Sequence, residues 1–100
     1  MTPSFKVELA PRAFADLSGI RDYLIQRSPT GAENVRTAFI ATLERLSRHP
    51  LIGRNRPELR VRAIGVPRYT YTIYYRIVGD FVQIVHVRDD RRSPLRPGEV

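Results

Sequence analysis

The hydrophobic period of this chain changes near residue 50, and that change restricts how its layers can be arranged. Before it, Ala13, Leu17, Ile20 and Leu24 recur at three- and four-residue spacing, followed by Ala32, Val35, Phe39, Leu43 and Leu46 at similar spacing. Such stripes line one face of a helix. After it, residues 62–66, 69–78 and 81–88 are runs rich in β-branched and aromatic side chains, which suit strands. A single strand precedes the helices, because Phe5, Val7 and Leu9 alternate with Lys6 and Glu8 over residues 4–9.

The punctuation agrees with this reading. Pro11 suits the first turn of a helix running to Arg27. The second helix can start at Ser28-Pro29, or at Thr30, which stands at capping-box spacing from Glu33. His49-Pro50 ends it, since the residue before proline disfavours helical geometry. Residues 50–60 hold two prolines and a glycine and read as an ordered loop. Gly79-Asp80 is a two-residue hairpin turn. The expected fold is therefore α+β: an N-terminal strand, an antiparallel two-helix hairpin, then a three-stranded antiparallel meander, with the helices on one face of an antiparallel sheet. Tyr69, Tyr71, Ile73, Tyr75 and Ile77 should face the helices, with Thr70, Thr72, Tyr74 and Arg76 opposite.

At 100 residues the chain has room for one domain, 1–100, whose last segment, 89–100, reads as a flexible basic tail. It has no cysteine and two isolated histidines, so neither a metal site nor a cofactor is expected. No run is apolar enough for a bilayer or a signal peptide, and a cytoplasmic location with no membrane partner is expected. Charge is more informative. Lysine and arginine number 17 against 10 acids, for a net +7 and a pI near 10.8, and Lys6 is the only lysine. Arginine's planar fork suits carboxylates and phosphates, so an acidic partner is implied. Most of the excess lies in the second half, with six arginines and one acid between Arg54 and Arg76.

Three segments carry a family resemblance. Phe14-Ala15-Asp16-Leu17 with Arg21-Asp22-Tyr23-Leu24, the loop His49-Pro50-Leu51-Ile52-Gly53-Arg54-Asn55-Arg56-Pro57-Glu58-Leu59, and the terminal strands from Arg68-Tyr69 to Arg91-Arg92 resemble the ParE/RelE superfamily of bacterial type II toxins, in its plasmid-stabilisation, ParE-like branch. The resemblance implies a toxin held inactive by a cognate antitoxin. An acidic C-terminal antitoxin segment would wrap it, and operator DNA would be reached only through the antitoxin. Ile20, Leu24, Ile25 and Phe39 are apolar residues that could serve either that contact or the core.

The superfamily divides between DNA gyrase inhibitors and ribosome-dependent mRNA endoribonucleases, and a third reading is a basic binding domain without toxicity. A nuclease needs a base, a cationic phosphate clamp and an acid. Here Glu58 would be the base, Arg62 with Arg68 and Arg76 the clamp, and His86 or Tyr75 the acid. The chain instead carries Asp89-Asp90 ahead of Arg91-Arg92, where many relatives have a His-Gly, which sets negative charge beside that end. A ParE-like gyrase inhibitor, not itself a catalyst, is therefore the preferred expectation, with Arg68, Arg76, Arg91 and Arg92 contacting target or antitoxin.

Overall fold

The computed structural model describes residues 4–91. Strand β1 (Lys6–Leu9) leads into helix α1 (Pro11–Arg27), helix α2 (Pro29–Arg48), strand β2 (Arg54–Arg56), a 3-10 turn at Pro57–Leu59, and strands β3 (Val61–Gly65), β4 (Tyr71–Val78) and β5 (Phe81–Asp89). Proline opens both helices. Ser28 settles the start of α2: its Oγ accepts the Gly31 N–H at 3.0 Å, while its own N–H donates to Leu24 O at 2.8 Å to close α1. One residue thus ends one helix and caps the next, which folds them into a hairpin.

The sheet departs from the expected one in two ways. Among the described residues it has five strands in the order β1-β5-β4-β3-β2, and β1 lies parallel to β5, so it is mixed rather than antiparallel. Both differences come from β2. The segment Arg54-Asn55-Arg56 has no apolar alternation and stands between Gly53 and Pro57, yet it pairs with β3 as an edge strand. Each short connection reverses the chain, so this extra strand adds one reversal, and the last strand returns in the same sense as the first.

Most of the expected faces hold. Tyr71, Ile73 and Tyr75 of β4, with Val82, Ile84 and Val87 of β5, pack against Ala13, Val35, Phe39 and Leu46 of the helices. Tyr74 turns the other way and clusters with Leu59, Val61, Ala63 and Val85 on the face without helices. The register explains why Val85 joins it. Tyr74 pairs with His86 and Tyr75 with Ile84, so Val85 is an extra residue in β5, a bulge that shifts the facing of β5 by one residue beyond it. Tyr69 precedes the strand and is exposed rather than core, and Ile77 is half-buried. Among the described residues no helix is long and apolar enough to cross a membrane.

Of the tail expected at 89–100, Asp89 is the last residue of β5 and Arg91 is bonded back to it, while residues 92–100 lie outside the described residues.

Candidate functional site

The hairpin has more apolar surface than the sheet covers. Only Ala13 of α1 is fully buried. Between the helices lies a groove of about 600 Å³ whose walls include Leu17, Ile20, Leu24, Ile25, Phe39 and Ile40, with Arg21, Glu33 and Arg36 at its rim. Of the four residues that could be either core or contact, Phe39 is core, Ile20 and Leu24 are half-buried walls, and Ile25 is exposed. A second groove of about 430 Å³ runs between α2 and the outer edge of β1, lined by Val7 and Leu9. The two grooves share Ile40 and Leu43, so one apolar surface continues from the hairpin to the strand edge.

The residues proposed for catalysis are separately engaged. Glu58 sits in the 3-10 turn and accepts a charged hydrogen bond from the Arg56 guanidinium, which holds its carboxyl below the usual carboxylate range and makes it a poorer base. Arg62 pairs across the sheet with Tyr75, on the helix side, and donates to Gly53 O at 2.9 Å and Leu51 O at 3.4 Å. His86 pairs with Tyr74, on the opposite face, so Arg62 and His86 do not share a side. Tyr75 is fully buried; its hydroxyl donates to Pro50 O and accepts the Gly53 N–H, each at 2.8 Å, and burial pushes its pKa up. A Cβ at Gly53 would lie 2.4 Å from that hydroxyl, which is why glycine stands there. Tyr75 and Arg62 together pin the backbone of the loop between α2 and β2.

The four contact arginines are not gathered either. Arg68 lies in the β3–β4 turn with a φ of +73°, a left-handed conformation that non-glycine residues seldom adopt, and near Arg45 of α2. Arg76 is exposed on the helix-free face, five residues along β4 from Tyr71, or roughly 17 Å. Arg91 grips Asp89, Nη2 to Oδ2 at 2.6 Å, which drives the Asp89 carboxyl far below its ordinary value. One of the two negative charges expected at this end is thus matched internally, Asp89 by Arg91 with the Thr70 hydroxyl donating as well, while Asp90 accepts a hydrogen bond from the neutral Thr72 hydroxyl. Arg92 lies outside the described residues.

What sequence reasoning missed is that Arg54, Arg56 and Arg88 join the expected Arg76 on one face. In register, Arg54 lies opposite Ala63, Arg56 opposite Val61, Arg76 opposite Gln83 and Arg88 opposite Thr72, which places all four on the helix-free face. Arg54, Arg56 and Arg88 bear on the Tyr74 hydroxyl, whose pKa burial nonetheless raises. For Arg54 and Arg56 the signal is alternation within β2, in a segment whose composition reads equally as loop. Asp16 was missed as well. Because β1 ends opposite Ile84, the outer edge of β5 beyond it has no strand partner among the described residues, and α1 covers it: Asp16 Oδ2 accepts the Val87 N–H at 3.0 Å and lies 2.6 Å from His86 Nδ1. The His86 ring stacks on Tyr74 at 5.8 Å, and its Nε2 lies 3.5 Å from the Arg12 guanidinium. His86 is thus a satisfied, buried histidine. An acid next to an apolar helical stripe and a histidine inside an apolar strand were the two halves of that signal.

Residues 7–94 match the family described as the ParE toxin of the type II toxin-antitoxin system, parDE. Toxin RelE3 of Caulobacter vibrioides is 31% identical over 83 residues, spanning 82% of this chain and 90% of its own. Toxin RelE2 of the same organism is 33% identical over 81 residues, spanning 81% and 90%. A chain of the chromosomal ParDE toxin-antitoxin system from P. aeruginosa superposes with a TM-score of 0.73 at 22% identity, covering 86% of this chain and 96% of that one, a likeness of fold.

Proposed function

The chain belongs to the ParE toxin family of type II toxin-antitoxin systems, and from that premise we propose that it is neutralised through its hairpin groove and acts by protein contact with DNA gyrase, without catalysis of its own. The groove between α1 and α2 is the surface for the antitoxin. An amphipathic segment laid in it would bury Ile20, Leu24, Ile25 and Ile40, and acidic residues on that segment would meet Arg21 and Arg36. A segment that folds on binding suits a long apolar surface of this kind, and operator DNA enters only through the antitoxin.

The observation that carries the gyrase reading is the separate engagement of Glu58, Arg62 and His86, each bonded to a different partner, with Arg62 and His86 on opposite faces of the sheet. General acid-base cleavage requires its base, clamp and acid to converge on one phosphate. The alternative, mRNA cleavage, draws on the names of the two Caulobacter relatives and on the arginines of the helix-free face, which could hold a phosphate backbone.

Induced expression in a laboratory bacterium, with a DNA-damage reporter and transcript integrity followed in one culture, separates them. DNA damage with intact transcripts is the expected result. Codon-specific cleavage without DNA damage would overturn the reading, and harmless expression would leave only the basic-domain alternative.

A further inference from the structure

The loop between α2 and β2 combines two features that seldom occur together without a use. Its backbone is held in one shape: Tyr75 bonds Pro50 O and the Gly53 N–H, Arg62 bonds the Leu51 and Gly53 carbonyls, and the Ile52 N–H donates to His49 O at 3.0 Å. Yet its two aliphatic side chains stand out in solvent, Leu51 65% and Ile52 43% exposed. Adjacent apolar side chains on a fixed backbone lose little conformational freedom on binding, which is what makes an anchor. A mobile loop would not hold them so.

The surrounding charge indicates the kind of partner. Residues 44–58 carry four arginines, Arg45, Arg48, Arg54 and Arg56, against Glu44 and Glu58, and with Arg56 paired to Glu58 the charge facing a partner is that of Arg45, Arg48 and Arg54 in excess over Glu44. The Arg62 guanidinium is fixed beneath the loop as well. Leu51 and Ile52 also lie outside both apolar grooves of the hairpin and the β1 edge. An antitoxin segment confined to those grooves would leave the loop uncovered.

We infer that Leu51 and Ile52 are the toxin's anchor on its target protein, entering an apolar pocket rimmed by carboxylates that meet Arg45, Arg48 and Arg54. This rests on the reading above that the chain acts by protein contact. The test uses purified DNA gyrase, plasmid DNA, the wild-type toxin and the double variant Leu51→Ala/Ile52→Ala, scored by trapped cleavage complexes. The double variant should lose at least tenfold in potency while keeping its melting temperature and its affinity for the antitoxin. Leu51→Met/Ile52→Val should restore most of the loss, and Ile25→Asp, in the groove, should weaken the antitoxin and leave gyrase trapping intact. A double variant within twofold of wild type overturns this inference and leaves the gyrase reading standing. Wild-type protein that traps no cleavage complex overturns both.

Discussion

Tyr75→Phe is the most direct probe of how this fold holds its loop. The substitution keeps the ring in the core and removes one oxygen, the acceptor for the Gly53 N–H and the donor to Pro50 O. Each such bond is worth about 1 kcal/mol net, and the buried Gly53 N–H left without a partner adds a desolvation cost, for a total of about 2–3 kcal/mol. In a domain of this size that corresponds to roughly 10–20 °C in Tm. Denaturant unfolding should show a lower midpoint with an unchanged m-value, because the surface exposed on unfolding is the same. A loss below about 0.5 kcal/mol would refute the reasoning, since it would mean that water or a shifted loop satisfies both groups at little cost. The hydroxyl also has a pH signature. Burial raises its pKa in the folded state, so its contribution is fully present below the ordinary value of 10.0 and is lost as pH rises through the raised value. Tyr71 and Tyr74 are shifted the same way, so the variant should lose part of the alkaline destabilisation rather than all of it.

Gly53→Ala should destabilise even in the Tyr75→Phe background, because the added Cβ would still meet the ring carbons Cε1 at 2.7 Å and Cζ at 2.9 Å; a double-mutant cycle by chemical denaturation measures the residual clash. Asp16→Ala removes the acceptor of the Val87 N–H and the partner of His86, and should cost about 1–3 kcal/mol with faster amide exchange at Val87. Asp89 is held ionised by Arg91, so its contribution is present above the ordinary 3.8 and is lost as pH falls below it; Arg91→Ala should flatten the acid limb of the stability profile, read by thermal melts across pH. Ile40→Asp places a charge where the two grooves meet, and should weaken antitoxin binding at least tenfold by calorimetry with the fold retained.

The helices were legible because each of their signals repeats. Two stripes at helical spacing, two opening prolines and His49-Pro50 fix both helices to within a residue or two. Strand β2 was not legible because nothing in Arg-Asn-Arg distinguishes an edge strand from a loop. Its pairing is set by β3 alongside it, and by Tyr75 and Arg62, which hold the loop leading into it. That one omission carried two consequences, the strand count and the parallel pairing of β1, because sheet sense follows from the number of reversals rather than from any residue in β1. The bulge at Val85 was equally hidden. In an apolar run such as Val-Gln-Ile-Val-His-Val, side-chain alternation does not reveal an inserted residue, and the shift of face appears only against a partner strand.

The candidate sites follow the same rule. Net charge located the basic half of the chain, and an arginine's position in sequence said little about its job. Arg91 grips Asp89, Arg62 holds a loop from beneath, Arg56 fixes Glu58, and Arg68 occupies a turn that strains it. The positive charge is therefore partly structural, and what it offers a partner is concentrated at the α2–β2 loop and on the helix-free face. A gyrase inhibitor and a nuclease would use these two surfaces differently. The first needs the rigid Leu51-Ile52 loop and tolerates neutral residues at Arg76 and Arg88, whereas the second needs those arginines and is indifferent to the loop's aliphatic side chains. Replacing each set separately, with growth arrest as the readout, asks the chain itself which surface it uses.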